Sequence, residues 1–281
     1  MKNYLTLTAL GLCAMLTACG GGGGGSTSTP TDTATITSIT ADKLMYGRQT
    51  KFTVVGTGLG SGVTLTSAGC SNIGTVAGGS ATQQVVTCTP SATGTISLSF
   101  LPVGNTTATA NTQVIPVPRV TMKTSLGDMV MELYPSNAPL SVNNFLQYVN
   151  DNFYTNLIFH RVVSNFVIQG GGFNAALTAA TPRAAIKLES GNGLSNLRGS
   201  VAMARATDPN SATSQFYINT VNNLSLDATT AGVDGYAVFG KVITGLDVMD
   251  KISAVPVTNA SNGLTNVPVT PVVITSVTQT Q

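Results

Sequence analysis

Residues 159–173 read Phe-His-Arg-Val-Val-Ser-Asn-Phe-Val-Ile-Gln-Gly-Gly-Gly-Phe, and no other stretch limits the fold as tightly. Arg161 and Gln169 stand in a run that is mostly apolar or glycine. An unpaired charge is costly to bury, so a cation in these surroundings is uncommon. The β-prone composition reads as strand, where consecutive side chains point to opposite faces. His160 and Arg161 therefore face apart, which makes His160 a structural residue rather than a general base. Gly170-Gly171-Gly172 is not followed by a helix start, so a phosphate-cradle reading gives way to a tight corner in a sheet.

The chain opens with an export signal. Lys2 supplies the positive region, and Leu5 to Ala18 form an apolar stretch too short to span a bilayer. Leu16-Thr17-Ala18-Cys19 resembles a bacterial lipobox, which implies cleavage after residue 18 and a lipid on Cys19. Residues 19–33, with a glycine run followed by Ser, Thr and Pro, read as a tether. The expected location is the bacterial cell envelope. Gly20 rather than Asp after Cys19 favours the outer membrane where there are two.

Charged residues make up only 9% of the chain and the net charge is +2, so there is no electrostatic footprint for nucleic acid. With Cys13 in the signal and Cys19 in the lipobox, Cys70 and Cys88 remain as a pair. In an exported protein such a pair reads as a disulfide. One histidine and no second cysteine pair argue against a zinc site, so no metal is expected.

Residues 34–116 alternate short β-prone runs with glycine turns. The strands are expected at 34–39, 51–55, 63–65, 84–87 and 95–100, which suggests a small β-sandwich. Gly56-Thr-Gly-Leu-Gly60 is expected to be a turn between strands. The order of these segments is similar to immunoglobulin-like IPT/TIG modules. Val114 to Arg119, with two prolines, reads as a stiff linker. A hairpin turning at Leu126-Gly127-Asp128 should follow. Pro139 should open a helix whose Val142, Phe145, Leu146 and Val149 share one face, and a second helix is expected over 246–252.

Two further blocks accompany the 159–173 segment: Gly199-Ser-Val-Ala-Met-Ala-Arg-Ala-Thr-Asp-Pro-Asn-Ser-Ala-Thr-Ser-Gln-Phe-Tyr-Ile218 and Gly235-Tyr-Ala-Val-Phe-Gly-Lys-Val242. In this order the three resemble the cyclophilins, a family of peptidyl-prolyl cis/trans isomerases. The resemblance covers residues 119–281. It implies an all-β-dominated chain: an Ig-like sandwich followed by an eight-stranded antiparallel barrel capped by two helices.

It also implies the site. Arg161 would be the catalytic guanidinium, with Phe166 and Gln169 beside it. Val167, Tyr217 and Leu226 would complete a proline pocket, and Gln215 would help orient Arg161. Ala204 and Arg205 match the strand that pairs with the residue before proline; many members carry asparagine at the position of Arg205. Tyr236 stands where many eukaryotic members have histidine, and Ser225 where they place the tryptophan that binds cyclosporin.

No cofactor is implied, because rotation about a prolyl bond needs neither a nucleophile nor a proton transfer. The partners implied are proline-containing polypeptides, with the membrane reached through the lipid and no nucleic acid. Two other classes remain open from the sequence: a module that binds proline segments without turnover, and an envelope adhesin or docking protein whose business lies in residues 34–116.

Overall fold

A computed structural model describes residues 32–228 and 234–281. The expected signal (1–18), Cys19 and nearly all of the 19–33 tether lie outside the described residues. No helix among those described is long and apolar enough to cross a membrane.

Seven strands make up the first part: β1 (Thr35–Ala41), β2 (Thr50–Thr57), β3 (Val63–Thr66), β4 (Cys70–Thr75), β5 (Gln83–Pro90), β6 (Gly94–Pro102) and β7 (Thr109–Ile115). They form a four-stranded sheet in the order β1-β2-β5-β4 and a three-stranded sheet in the order β3-β6-β7. Phe52 of one sheet meets Phe100 of the other at 5.8 Å between ring centroids, with Val54, Val86, Leu65 and Leu98 buried around them. Alternating apolar residues supply these inner faces, as expected of packed sheets. Cys70 and Cys88 are bonded, joining the neighbouring strands β4 and β5.

Two details differ from the sequence reading. Gly56 and Thr57 finish β2, and Leu59–Ser61 form a single 3-10 turn. The linker is shorter than 114–119, because Val114 and Ile115 pair within β7 and Arg119 already begins the next strand.

The second part holds β8 (Arg119–Thr124), β9 (Gly127–Leu133), α1 (Pro139–Asn150), β10 (Leu157–Val163), β11 (Val167–Asn174), β12 (Ser200–Met203), β13 (Phe216–Asn219) and β14 (Val238–Thr244). It ends with α2 (Leu246–Ser253), the two-residue pair β15 (Val257–Thr258) and β16 (Val267–Pro268), and β17 (Ile274–Gln279). An antiparallel eight-stranded sheet runs β10-β11-β13-β12-β14-β9-β8-β17. Its two edges meet where Ile158 bridges Val273 and Phe159 N–H donates to Val272 O at 3.0 Å. The sheet is thus a nearly closed barrel, and closure removes most of the free edge a sheet would otherwise present.

The first hairpin turns at Ser125-Leu126, one residue earlier than expected, because Thr124 pairs with Gly127 and Gly127 (φ 130°) enters β9. Helix α1 starts at Pro139, whose missing N–H costs nothing at that position. Its cap comes from far along the chain: Glu189 accepts from Leu140 N–H and Ser141 N–H, both at 2.8 Å. A carboxylate there also complements the helix dipole. Val142, Phe145, Leu146 and Val149 are buried on the inner face of α1, and Val248, Met249 and Ile252 on that of α2.

The two parts touch through the β1–β2 loop. Gln279 Nε2 donates to Tyr46 O at 3.0 Å, Lys43 Nζ to Thr280 O at 2.9 Å, and Arg48 to the Asn150 side chain.

Candidate active site

Cross-strand register explains why residues distant in sequence converge. Arg161 lies opposite Gln169, Gln169 opposite Tyr217, Tyr217 opposite Ala202, and Ala202 opposite Val238. Paired residues project to one face of a sheet. The adjacent row, Val162, Ile168, Ile218 and Val201, is fully buried in the barrel core. One row is therefore core and its neighbour is an outer face bearing chemistry. Ala202, Val167, Tyr217 and Val238 form a small apolar cluster separate from the core, with Phe166, Leu194, Ala204, Leu226 and Tyr236 packed against it.

Arg161, Phe166, Val167, Gln169, Ala204, Arg205, Tyr217, Leu226 and Tyr236 surround a hollow of about 220 Å³. Each of these was expected from the sequence. Gln215 does not line the hollow; it stands behind Gln169, whose Nε2 donates to Gln215 Oε1 at 2.9 Å. Gln169 Oε1 in turn accepts from Arg161 Nη1 at 3.3 Å. The guanidinium is thus aimed by one amide, sits 6.0 Å from the Phe166 ring centroid, and makes no ion pair among the described residues. An arginine carries five N–H donors, so most of them remain available to a bound molecule.

Gly170 to Gly172 are not a corner: all three lie inside β11. They are small because neighbours come close. A Cβ on Gly171 would lie 2.8 Å from Ser214 O, and one on Gly172 would lie 2.7 Å from the Gln215 side chain. The missing side chain at 172 leaves the room in which Gln215 reaches Gln169.

His160 does not alternate with Arg161 as expected: the ladder shifts register between Phe159 and Arg161, and Phe159 and Val162 are both core residues, so this bulge leaves His160 and Arg161 on the same outer side. His160 is 3% exposed, meets the Phe173 ring at 4.8 Å with the planes tilted by 58°, and burial pushes its pKa down to about 4. Phe159, Val162 and Ile168 are core residues as expected, whereas Val163 and Phe173 are only half-buried.

The sequence reading missed the apolar floor of Ala202, Val238 and Leu194, which strict alternation through Val201-Ala-Met203 could have shown. It also missed a buried amide network. Tyr217 Oη donates to Asn196 Oδ1 at 2.7 Å, Asn219 Nδ2 to the same oxygen at 3.0 Å, and Asn196 Nδ2 to Asp227 Oδ1 at 2.7 Å. Asn223 Nδ2 donates to Asn219 Oδ1 at 2.8 Å and to Phe166 O at 2.9 Å. The network fixes the Tyr217 hydroxyl away from the hollow, and burial holds that hydroxyl well above the usual phenol range. Tyr217 presents only its ring to the slot. Tyr236 meets that ring edge-on at 5.7 Å, and Ser225 is exposed nearby on the 3-10 turn Leu224–Leu226.

The sequence matches the pattern described as "Cyclophilin type peptidyl-prolyl cis-trans isomerase/CLD" over residues 119–279. It is 53% identical over 158 residues to a peptidyl-prolyl cis-trans isomerase of Acinetobacter baylyi, covering 56% of this chain and 83% of that one. Peptidyl-prolyl cis-trans isomerase B of Escherichia coli is 45% identical over 161 residues, covering 57% of this chain and 98% of its own. A cyclophilin type peptidyl-prolyl cis-trans isomerase of Cryptosporidium parvum superposes with a TM-score of 0.50 at 26% identity, over 58% of this chain and 98% of that structure. A guanidinium with free donors beside an apolar slot, on the outer face of an eight-stranded barrel, agrees with these matches, and the chain belongs to the cyclophilin-type peptidyl-prolyl cis-trans isomerase family.

Proposed function

We propose that this peptidyl-prolyl isomerase accelerates rotation of X-Pro bonds in exported polypeptides, and that a lipid on Cys19 holds it at the cell envelope. The observation that carries the catalytic reading is Arg161, aimed by Gln169 at the mouth of a slot walled by Phe166, Val167, Tyr217 and Leu226. The barrier to peptide rotation, about 18–20 kcal/mol, comes from resonance between the nitrogen lone pair and the carbonyl. Twisting the bond localises that lone pair and makes the nitrogen a hydrogen-bond acceptor. The slot takes the proline ring out of water. Arg161, fixed before substrate arrives, donates to the nitrogen as it gains acceptor character. The planar amide offers less to donate to, so the interaction favours the twisted state over the ground state.

Residues 34–116 are proposed to be an IPT/TIG-like immunoglobulin-like module, serving as spacer or partner-docking surface. Two stacked antiparallel sheets, one of them cross-linked between its neighbouring strands β4 and β5 by a disulfide, support that reading. The lipobox-like Leu16-Thr-Ala-Cys19 and the glycine-rich residues after it support the anchor.

Exchange NMR on a short Ala-Pro peptide tests the activity. The protein at catalytic concentration should bring cis/trans interconversion from tens of seconds into the millisecond range. Exchange rates unchanged by the protein would defeat the catalytic reading. Fractionation of Cys19→Ser cells tests the anchor. The protein should leave the membrane fraction or stay unprocessed, and an unchanged membrane location would defeat it.

A further inference from the structure

The hollow carries a second guanidinium that the rotation step does not use. Arg205 Nε donates to Gly235 O at 3.1 Å, and its Nη1 donates to Ala206 O at 3.0 Å and Thr207 O at 3.4 Å. Its Cζ lies 4.6 Å above the Tyr236 ring, a cation–π distance. Three carbonyls and a ring therefore hold this side chain in one place at the rim, half-buried. Among the described residues Nη2 donates to nothing, so two N–H groups of a fixed cation are left open.

No carboxylate neutralises it. All eleven aspartates and glutamates lie among the described residues, and none forms an ion pair with Arg205. The acids closest in sequence are occupied or turned to solvent: Asp208 accepts from Asn210 N–H, Asp227 holds Asn196, and Asp234 is exposed. The backbone N–H and C=O of Arg205 are likewise without partners among the described residues, which leaves an open stretch of main chain beside the charge. A preorganised guanidinium loses little entropy when it binds a carboxylate, and it can do so through charge-assisted bonds.

From this we infer that Arg205 is a specificity-determining residue, and that the site selects polypeptides carrying an acidic side chain flanking the proline. The inference rests on the isomerase reading above and names the substrate class for that site. Arg161 serves the twisting bond and Arg205 the flanking carboxylate, one at the Phe166 wall and the other at the Tyr236 rim.

The experiment uses the full mature protein and matched peptides with Glu, Ala or Lys placed before the proline, and a second set with the same residues after it. Both kcat/KM and Kd are read at about 20 mM and about 500 mM salt. One of the two sets should prefer Glu over Lys by roughly 5–10-fold at low salt, with the preference shrinking at high salt. Arg205→Gln should bring that ratio close to one, and Arg205→Lys should keep its sign. Thermal unfolding of each variant separates a lost preference from a lost fold. Equal use of Glu, Ala and Lys peptides by the unaltered protein, with the Ala peptide turned over normally, would overturn this inference and leave the isomerase reading standing. Failure to turn over any peptide would overturn the isomerase reading. In that case Kd values showing no Glu preference would remove this inference too, while a Glu preference in Kd would keep Arg205 as an acidic-peptide contact.

Discussion

Arg161 and His160 are neighbours on β10 and share its outer side, yet one opens onto the slot and the other is buried. Arg161 stands on the outer face, half-buried, held by one amide and left with donors to spare. His160 is packed against Phe173 and near Gln215, where burial keeps its imidazole neutral. The difference lies in what covers each side chain, because the two-residue period of the strand is broken by the bulge at His160 and resumes at Arg161. The inner face repeats Val162, Ile168, Ile218 and Val201 and supplies stability. The outer face repeats Arg161, Gln169, Tyr217 and Ala202 and supplies a site. Changes at the open positions of the outer face should therefore move rate, and changes at buried positions should move stability.

The largest effect should come from Arg161→Ala. Loss of one preorganised donor typically costs about 3–4 kcal/mol of transition-state stabilisation, so kcat/KM should fall roughly 10²–10³-fold. Urea unfolding should stay within about 0.5 kcal/mol of the unaltered protein, because this side chain is only half-buried and makes no ion pair among the described residues. A comparable loss of stability would blur the distinction between the faces.

Asn219 joins the faces. It is fully buried and bonds Asn196, Ser200 and Asn223. Asn219→Ala leaves several buried polar groups unpaired, at a cost of about 2–3 kcal/mol in stability. Activity should fall as well, because Asn223 also holds the Phe166 carbonyl. Chemical denaturation and kcat/KM measured on the same sample would check both halves.

His160 should announce its burial through pH. Its folded pKa, about 4, lies below the ordinary 6.5, so between those values the unfolded chain binds the extra proton. Stability from this group is complete above pH 6.5 and is lost as pH falls toward 4. Between pH 7 and pH 5 the loss is about 2 kcal/mol. His160→Gln should flatten that slope. An unfolding midpoint with the same pH dependence in both proteins would show that the imidazole is not buried neutral.

Gly172→Ala is the smallest of these. The new methyl would lie 2.7 Å from Gln215, a side chain able to swing aside. Stability should barely change, while kcat/KM should fall roughly 5–10-fold as Gln169 and then Arg161 lose their support.

Much of the outer face was legible because its residues sit in contiguous motifs: Arg161, Phe166 and Gln169 fall within nine residues. The helices were legible from apolar spacing, and α1 begins where Pro139 permits. The strands β4 and β7 were not. Both are edge strands with mostly exposed or half-exposed residues, so Cys70–Thr75 and Thr109–Ile115 lack the apolar alternation that marks a buried strand. The network around Asn196, Asn219, Asn223 and Asp227 was invisible for another reason. Its members come from separate loops and a strand end, and only the closed barrel places them together. Gly170 to Gly172 misled by composition: a glycine run suggests a turn, whereas here it serves close approach between strands.

The claim that the outer face acts through a fixed guanidinium, with no proton transfer, is tested most directly by comparing Arg161→Lys with His160→Gln. Peptidyl-prolyl exchange rates would be measured by NMR at a pH near 7, where both variants are folded. Arg161→Lys should stay at least about 30-fold below the unaltered protein, because an ammonium cannot reproduce the planar fork of donors. His160→Gln should remain within about 3-fold of it. Near-full activity in Arg161→Lys together with abolished activity in a folded His160→Gln would contradict the account.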